Sequence, residues 1–323
     1  MKKLMFVIMC AVVTATSAAK RAPEYLAARR QGALARFQVH VVDDSGMNVA
    51  NADVKVFLGM NFRPRGHWVA GKTNEAGLLA VNGKTCGDEI NISVSKEGYY
   101  KSQKKMSFAR IGAEHEVSDG RWLPFDAILK MRLRPISHPI PLREVGFGEG
   151  KPVPTTNIWI GVDMARNDFV FPYGNGTETD FKVLVEWDGH PPIDCKHCAL
   201  DIRFDSPDAG GYSEKKVMES SYPYAYEAQT NNSYALTSVG VVEGGRFSSE
   251  EFLRFRDDSV IVTRTRCVRG DNGELKSVHY GYIRVVGISA SWEGMPTIRL
   301  AGVFNPTPND TNLEPKQVPM ISP

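Results

Sequence analysis

The chain has 323 residues, 42% hydrophobic and 24% charged, an ordinary globular composition with material for one large core or two smaller ones. Its formal charge of +2 includes Lys2 and Lys3; without those two the basic residues equal the 37 acidic ones. A neutral body argues against nucleic-acid binding and against adhesion to anionic membranes, which both rest on excess positive charge.

The first residues have the form of an export signal. Met1-Lys2-Lys3 is a short positive start, Leu4–Val13 is unbroken apolar sequence, and Thr14–Ala19 supplies small residues for a cut at Ala18 or Ala19. The apolar run Leu4–Val13 would rise about 15 Å as a helix, half of the roughly 30 Å hydrocarbon layer. A cleaved signal over residues 1–19 is therefore expected, not a membrane anchor. A lipidated Cys10 is set aside, because Met9 is bulkier than the small residue that should precede it. No later apolar run reaches spanning length, so a secreted or periplasmic protein without a transmembrane segment is expected.

Residues 20–34 come next. Pro23 and Glu24 suit a helix start, and Ala, Leu and Arg fill the rest, so a short helix or a loose arm is predicted. Helical periodicity is nearly absent thereafter. In residues 35–134, Phe37, Val39 and Val41 alternate with Arg36, Gln38 and His40. The same period of two runs through Val54, Val56 and Leu58, through Ile90, Ile92 and Val94, and through Ala127, Leu129, Met131 and Leu133. Such alternation buries one face and wets the other, which predicts two sheets packed as a β-sandwich.

Between residues 135 and 156, Pro135, Pro139, Pro141, Pro152 and Pro154 with Gly146, Gly148 and Gly150 predict an extended linker or a strap along the surface. A second, larger β-sandwich-type domain is expected over residues 157–304. Phe181, Val183, Val185 and Trp187 form one face, and Leu200, Ile202 and Phe204 another. Val260–Val268 and Leu275–Val286 flank Asp271-Asn272-Gly273, a hairpin signal because Asn-Gly supplies positive φ angles. Residues 305–323 are polar and proline-rich and are expected to lie extended on the surface. The fold class predicted is all-β.

Four turn-bearing segments then carry a family pattern. Val41-Val42-Asp43-Asp44-Ser45-Gly46 leads to Val49-Ala50-Asn51-Ala52-Asp53-Val54, then Thr73-Asn74-Glu75-Ala76-Gly77 and Val94-Ser95-Lys96-Glu97-Gly98-Tyr99. Together they resemble the carboxypeptidase regulatory-like domain, a transthyretin-like or immunoglobulin-like β-sandwich, over roughly Ala35 to Arg134. Asn51 stands where that family usually has Gly, and Asn74 where it has Asp. The resemblance implies a scaffold or spacer module of exported proteins, with no activity of its own. Phe304-Asn305-Pro306-Thr307-Pro308-Asn309-Asp310 and the hairpin around Asn272 are similar to parts of uncharacterised secreted bacterial proteins, from which no function follows.

Several constellations are candidates for chemistry. Tyr222, Tyr224 and Tyr226 alternate, and in an extended segment would share one side as a binding strip for sugar rings or another chain; the alternative is a connection pinned by tyrosines to its own domain. Outside the leader four cysteines remain, and an even number in an oxidising compartment suits disulfides. Cys195 with Cys198 is the preferred pair, leaving Cys86 and Cys267 as buried thiols or a staple between domains. His190, Cys195, His197 and Cys198 also offer ligands for zinc or copper, although the second Cys-x-x-Cys of a zinc ribbon is missing. Glu186 and Asp188 lie on one strand face, as the paired carboxylates of a glycoside hydrolase or lyase would; the other reading is a solvated strand running into a turn. Arg264 and Arg266, spaced to share a strand face, could join Arg284 or Arg299 around an anion or pair with acids across strands. Arg269-Gly270-Asp271 spells an integrin tripeptide whose Asp already serves the turn, and Ser213-x-x-Lys216 lacks its supporting motifs. No complete catalytic set is present and no cofactor is expected. The function expected is a non-enzymatic binding or structural module of the envelope or extracellular space, with a polysaccharide or a surface protein as partner.

Overall fold

A computed structural model describes residues 23–59, 66–108, 117–147, 150–187, 198–215, 217, 219–231, 234, 238–241, 253–254, 259–290 and 295–316. The expected signal at residues 1–19 and the Asp188–His197 stretch, with Cys195, lie outside them. The chain forms two compact units: one holds residues 23–41, Asn48–Val94 and Lys104–Met131, the other Val42–Met47, Ser95–Gln103 and the chain from Arg132 onward. Among the described residues no helix is long and apolar enough to cross a membrane.

The first unit opens with the helix Pro23–Gln31. Proline at its first position is preorganised for helix, Glu24 and Arg29–Arg30 complement the dipole, and Gly32 closes it at φ +82° with its N–H on the Ala28 carbonyl at 2.8 Å. Tyr25 and Ala28 are its buried face, and the Tyr25 hydroxyl donates to Asp88 at 2.7 Å. Ala33–Val42 then pairs antiparallel with Leu78–Thr85, and shares its sheet with Ala127–Arg132, Val117–Ser118 and Arg121–Trp122. A second sheet runs His67–Lys72, Asp53–Leu58, Glu89–Ser95, Ser102–Ser107. The expected alternation holds: Phe37, Val39, Val54, Val56, Ile90 and Ile92 are buried, each removing apolar area worth about 1.5–3 kcal/mol. Trp122 is fully buried, stacks on Phe108 at 5.4 Å and donates its indole N–H to the Thr85 carbonyl at 2.8 Å.

The second unit is also a sandwich. Its seven-stranded sheet runs Arg143–Gly146, Pro296–Phe304, Leu275–Ala290, Ser259–Arg269, Gly210–Lys215, with Lys151–Pro152 and Leu253–Arg254 added alongside. Its five-stranded sheet runs Asp168–Phe169, Trp159–Asp163, Phe181–Trp187, Cys198–Arg203, Ser238–Val241. Val162, Phe181, Val183, Leu200 and Ile202 from the second meet Ile261, Ile283, Ile298, Leu300 and Phe304 from the first in one core. The predicted hairpin is present: Arg269 faces Leu275, the Gly270 N–H donates to Glu274, and Gly273 takes φ +80°.

Two stretches differ from expectation. The proline-rich segment after Arg134 is not merely a strap, because Arg143–Gly146 ladders onto Ala301–Phe304 and Val145 and Val153 are buried. Its prolines flank this short edge strand and so remove no ladder bond from it. The chain beyond Asn305 is not laid on the surface either. Leu313 is fully buried, and the tail ties back through Leu313 N–H to Tyr226 and Ile140 N–H to Glu314.

Candidate functional site

Tyr222, Tyr224 and Tyr226 lie in the second unit, on the face of the seven-stranded sheet that does not meet the five-stranded one. That face carries Val260, Val262, Val278, Tyr280, Tyr282 and Val303, which need cover. The tyrosine segment supplies it. Tyr222 and Tyr224 are buried and Tyr226 half-buried, so the three do not present one exposed strip. Tyr222 packs on Tyr100 at 5.0 Å and Tyr226 at 5.6 Å, while Tyr224 lies over Tyr282 at 4.2 Å. The Tyr226 hydroxyl donates to the Pro135 carbonyl at 2.5 Å, and that of Tyr222 stands 2.6 Å and 2.7 Å from the Ala225 and Leu313 carbonyls. Burial pushes the Tyr226 phenol up to about 12.

Arg134, itself buried, holds the segment from beneath. It donates to the carbonyls of Tyr222 and Tyr224, pairs with Asp44 at 3.0 Å, and sits 4.3 Å from the Tyr226 ring centroid. This is the arrangement of a polypeptide strap pinned by phenols and a guanidinium. The alternating tyrosines were compatible with either reading. What the spacing could not reveal is that a second apolar face waits beneath them.

Arg264 and Arg266 do not share a face. Arg264 follows the alternation, lies 4.3 Å from the Tyr234 centroid and donates to the Asp208 carbonyl at 2.9 Å. At Arg266 the strand bulges, with φ +50°, and its register against Leu275–Ala290 slips between Thr265 and Val268. A bulge re-aims a side chain. Arg266 therefore joins Thr265 on the core side, and both bind Asp180: Thr265 Oγ1 to Oδ1 at 2.8 Å, Arg266 Nε to Oδ1 at 2.9 Å. Arg266 also reaches Asp163 at 2.8 Å and Glu178 at 2.6 Å.

Asp163 accepts three further bonds, from the backbone N–H groups of Thr177, Glu178 and Arg166. Burial opposes its ionisation, yet these donors and Arg266 hold its carboxyl below the usual range. Arg266 and the three carboxylates tie the two sheets, and Arg166 Nε stands 4.0 Å from Asp163. Among the described residues no three His, Cys, Asp or Glu side chains gather as a metal site.

The remaining candidates divide. Glu186 is half-buried on the strand Phe181–Trp187, opposite Ala199, whereas Asp188 lies outside the described residues. So do His190, Cys195 and His197; Cys198 opens its strand opposite Trp187. Cys86 is buried and Cys267 half-buried. Arg269 of the tripeptide is bound to Asp208 through Nε at 2.6 Å. Ser213 is an exposed strand residue opposite Ile261, and Lys216 is not described.

One feature was missed in the sequence. Trp68 is 59% exposed on a regular strand, with Phe57 directly across the ladder at 5.1 Å. The sequence carries no spacing pattern that marks it, and only the fold shows that His67–Lys72 has no buried residue.

No family model and no curated protein matches the chain. Among solved structures, 3-chlorocatechol 1,2-dioxygenase from Rhodococcus opacus is similar over 33% of this chain and 62% of that one, at 12% identity and TM-score 0.26. Catechol 1,2-dioxygenase from Acinetobacter is similar over 33% and 54%, at 13% identity and TM-score 0.25. A DUF3823 family protein from Parabacteroides merdae is similar over 84% and 98%, at 7% identity and TM-score 0.22. The chain spans less than two thirds of the length of those dioxygenases. Likenesses of this size say nothing of activity.

Proposed function

We propose that this chain is an exported, non-enzymatic binding or structural module of the cell envelope or extracellular space, with a polysaccharide or a surface protein as its partner. The observation that supports it most is the fate of the three fully buried acids; half-buried Glu214, whose Oε2 has no partner among the described residues, stands apart from them. Among the described residues, the fully buried carboxylates are Asp163, Asp180 and Glu314. Each is saturated by guanidinium, hydroxyl or backbone N–H donors that fasten strand to strand or tail to body. A carboxylate so held is poorly suited to exchange protons with a substrate.

In this reading residues 35–134 are a carboxypeptidase regulatory-like scaffold. Its turns support that. Asp43 Oδ1 accepts the backbone N–H groups of Ser45 and Met47, Asn74 Oδ1 those of Ala76 and Leu78, and Gly46, Gly77 and Gly98 all take positive φ. Asn51, standing where the family has Gly, adopts φ +56°, the left-handed conformation that Asn tolerates best after Gly. Residues 1–19 are the removable signal, which the mass of the exported product tests.

The decisive assay is hydrolysis across a panel of polysaccharides. The reading requires none. Turnover abolished by Glu186→Gln would overturn it in favour of a glycoside hydrolase or lyase.

A further inference from the structure

Phe57 and Trp68 form an aromatic pair on the outer face of the four-stranded sheet in the first unit. Phe57 alternates with buried Val56 and Leu58, and its cross-strand partner Trp68 shares its face, so both rings project away from the core. Their centroids are 5.1 Å apart with planes at 52°. The Phe57 ring lies over Gly66, where a Cβ would come within 2.2 Å of it. Glycine there leaves room for the ring. His67–Lys72 is the last strand of its sheet, and among the described residues no strand is hydrogen-bonded along its far side. The joining residues 60–65 are not described.

The charges around the pair are specific. Asp53 and Lys72, opposed on the same face, neutralise each other at 2.9 Å. Lys55 is exposed, lies between Asp53 and Phe57 on that face, and forms no ion pair among the described residues. As the diagonal cross-strand neighbour of Trp68 it stands roughly 7–8 Å away at the backbone. An exposed indole beside one uncompensated ammonium complements a ligand with an apolar face and a carboxylate on the same small ring.

We infer that Phe57, Trp68 and Lys55 are a subsite for an acidic polysaccharide, the indole stacking on the C–H face of a uronic acid ring and Lys55 binding its carboxylate. This rests on the binding-module reading above and names its ligand class and place. A neutral glycan would leave Lys55 unused.

Affinity electrophoresis of the intact chain through gels containing polygalacturonate, with hydroxyethylcellulose in parallel, tests it. Polygalacturonate retards the chain; Trp68→Ala weakens that retardation roughly tenfold or more, and Trp68→Phe restores part of it. Lys55→Gln weakens it several-fold and reduces its sensitivity to salt, because an exposed charge pair is screened. Phe171→Ala, at another exposed aromatic, leaves it unchanged. Equal thermal midpoints for the Trp68 variants show that folding is intact. Full retardation of Trp68→Ala places the sugar elsewhere and overturns the subsite while sparing the module reading. Equal retardation by both gels, or by neither, also overturns it. Cleavage of either polymer overturns the module reading instead.

Discussion

Arg266 and Asp180 meet through two contacts of 2.9 Å, Nε to Oδ1 and Nη2 to Oδ2, although strict alternation along Ser259–Arg269 assigns Arg266 to the opposite face. The positive φ at Arg266 makes the pair. A bulged, left-handed arginine is locally unfavourable, and it persists because Asp180 would otherwise be buried without a cation and Asp163 would keep only Arg166, 4.0 Å away.

Replacing Arg266 by Met should therefore destabilise the chain by about 3–5 kcal/mol, the cost of leaving buried carboxylates unmatched. Arg266→Lys should not rescue it, since one ammonium cannot span both oxygens of Asp180 and also reach Asp163. Urea unfolding followed by tryptophan fluorescence measures both. A midpoint unchanged in Arg266→Met would show that the network contributes nothing.

Asp168 provides a pH dependence of known sign. Burial raises its pKa, but Lys151 and the N–H groups of Asn175 and Phe169 outweigh that and hold it at about 2. An unfolded Asp titrates near 3.9, so the folded state binds fewer protons between those values. This contribution is complete above the unfolded pKa and is lost as pH falls towards about 2. Asp163 and Asp205, also held low, act in the same direction. Urea midpoints should fall between pH 4.5 and about 2, and less steeply in Asp168→Asn.

How far the sequence could be read depended on whether a strand had one wet face. Phe37, Val39 and Val41, or Val54, Val56 and Leu58, alternate cleanly because their outer neighbours meet water, and these strands were legible. Ser259–Arg269 and Leu275–Ala290 were found through their turn, yet their burial on both faces was not, since Val260, Ile261 and Val262 give a continuous apolar run. That second face explains why Tyr222 and Tyr224 are interior and why Leu313 is buried. The bulge at Arg266 follows from tertiary charge pairing and has no local marker. Trp68 was passed over because a lone exposed aromatic has no spacing pattern to betray it.

Gly46 and Gly77 separate two costs of adding a side chain. Both have positive φ, but a Cβ on Gly46 meets nothing within 4 Å while one on Gly77 would stand 2.5 Å from the Val41 carbonyl oxygen. Gly46→Ala should cost only the backbone strain, about 1–2 kcal/mol. Gly77→Ala should cost clearly more. Asn51→Gly, at φ +56°, should be close to neutral. Thermal midpoints of the three variants give the order, and equal losses at Gly46 and Gly77 would refute the steric account.

Thiol labelling distinguishes the cysteines. Cys86 is buried, and burial raises the pKa of half-buried Cys267, so neither should react quickly in the native chain. In denaturant without reductant Cys267 should label. Cys195 and Cys198, proposed as a disulfide, should label only once reductant is added. Immediate labelling of either in denaturant would exclude that bridge.

Glu314 fastens the end of the chain. Its carboxylate, 1% exposed, accepts the Tyr100 hydroxyl at 2.9 Å and the backbone N–H groups of Ser137 and His138 at 2.9 Å and 2.6 Å. Glu314→Ala strands these donors, each at about 1–3 kcal/mol, though the effects will not add fully within one network. Glu314→Gln keeps an acceptor and should lose less. Ending the chain at Asn312 also removes Leu313, whose carbonyl receives the Tyr222 hydroxyl and whose side chain covers the tyrosine face. That truncation should weaken the tyrosine signal in near-ultraviolet dichroism and speed proteolysis around Tyr222–Tyr226. The five-stranded sheet, whose core contains neither residue, should keep its far-ultraviolet β signature. Loss of both signals together would mean that tail and sandwich unfold as one unit; loss of neither would show that the tail fastens nothing.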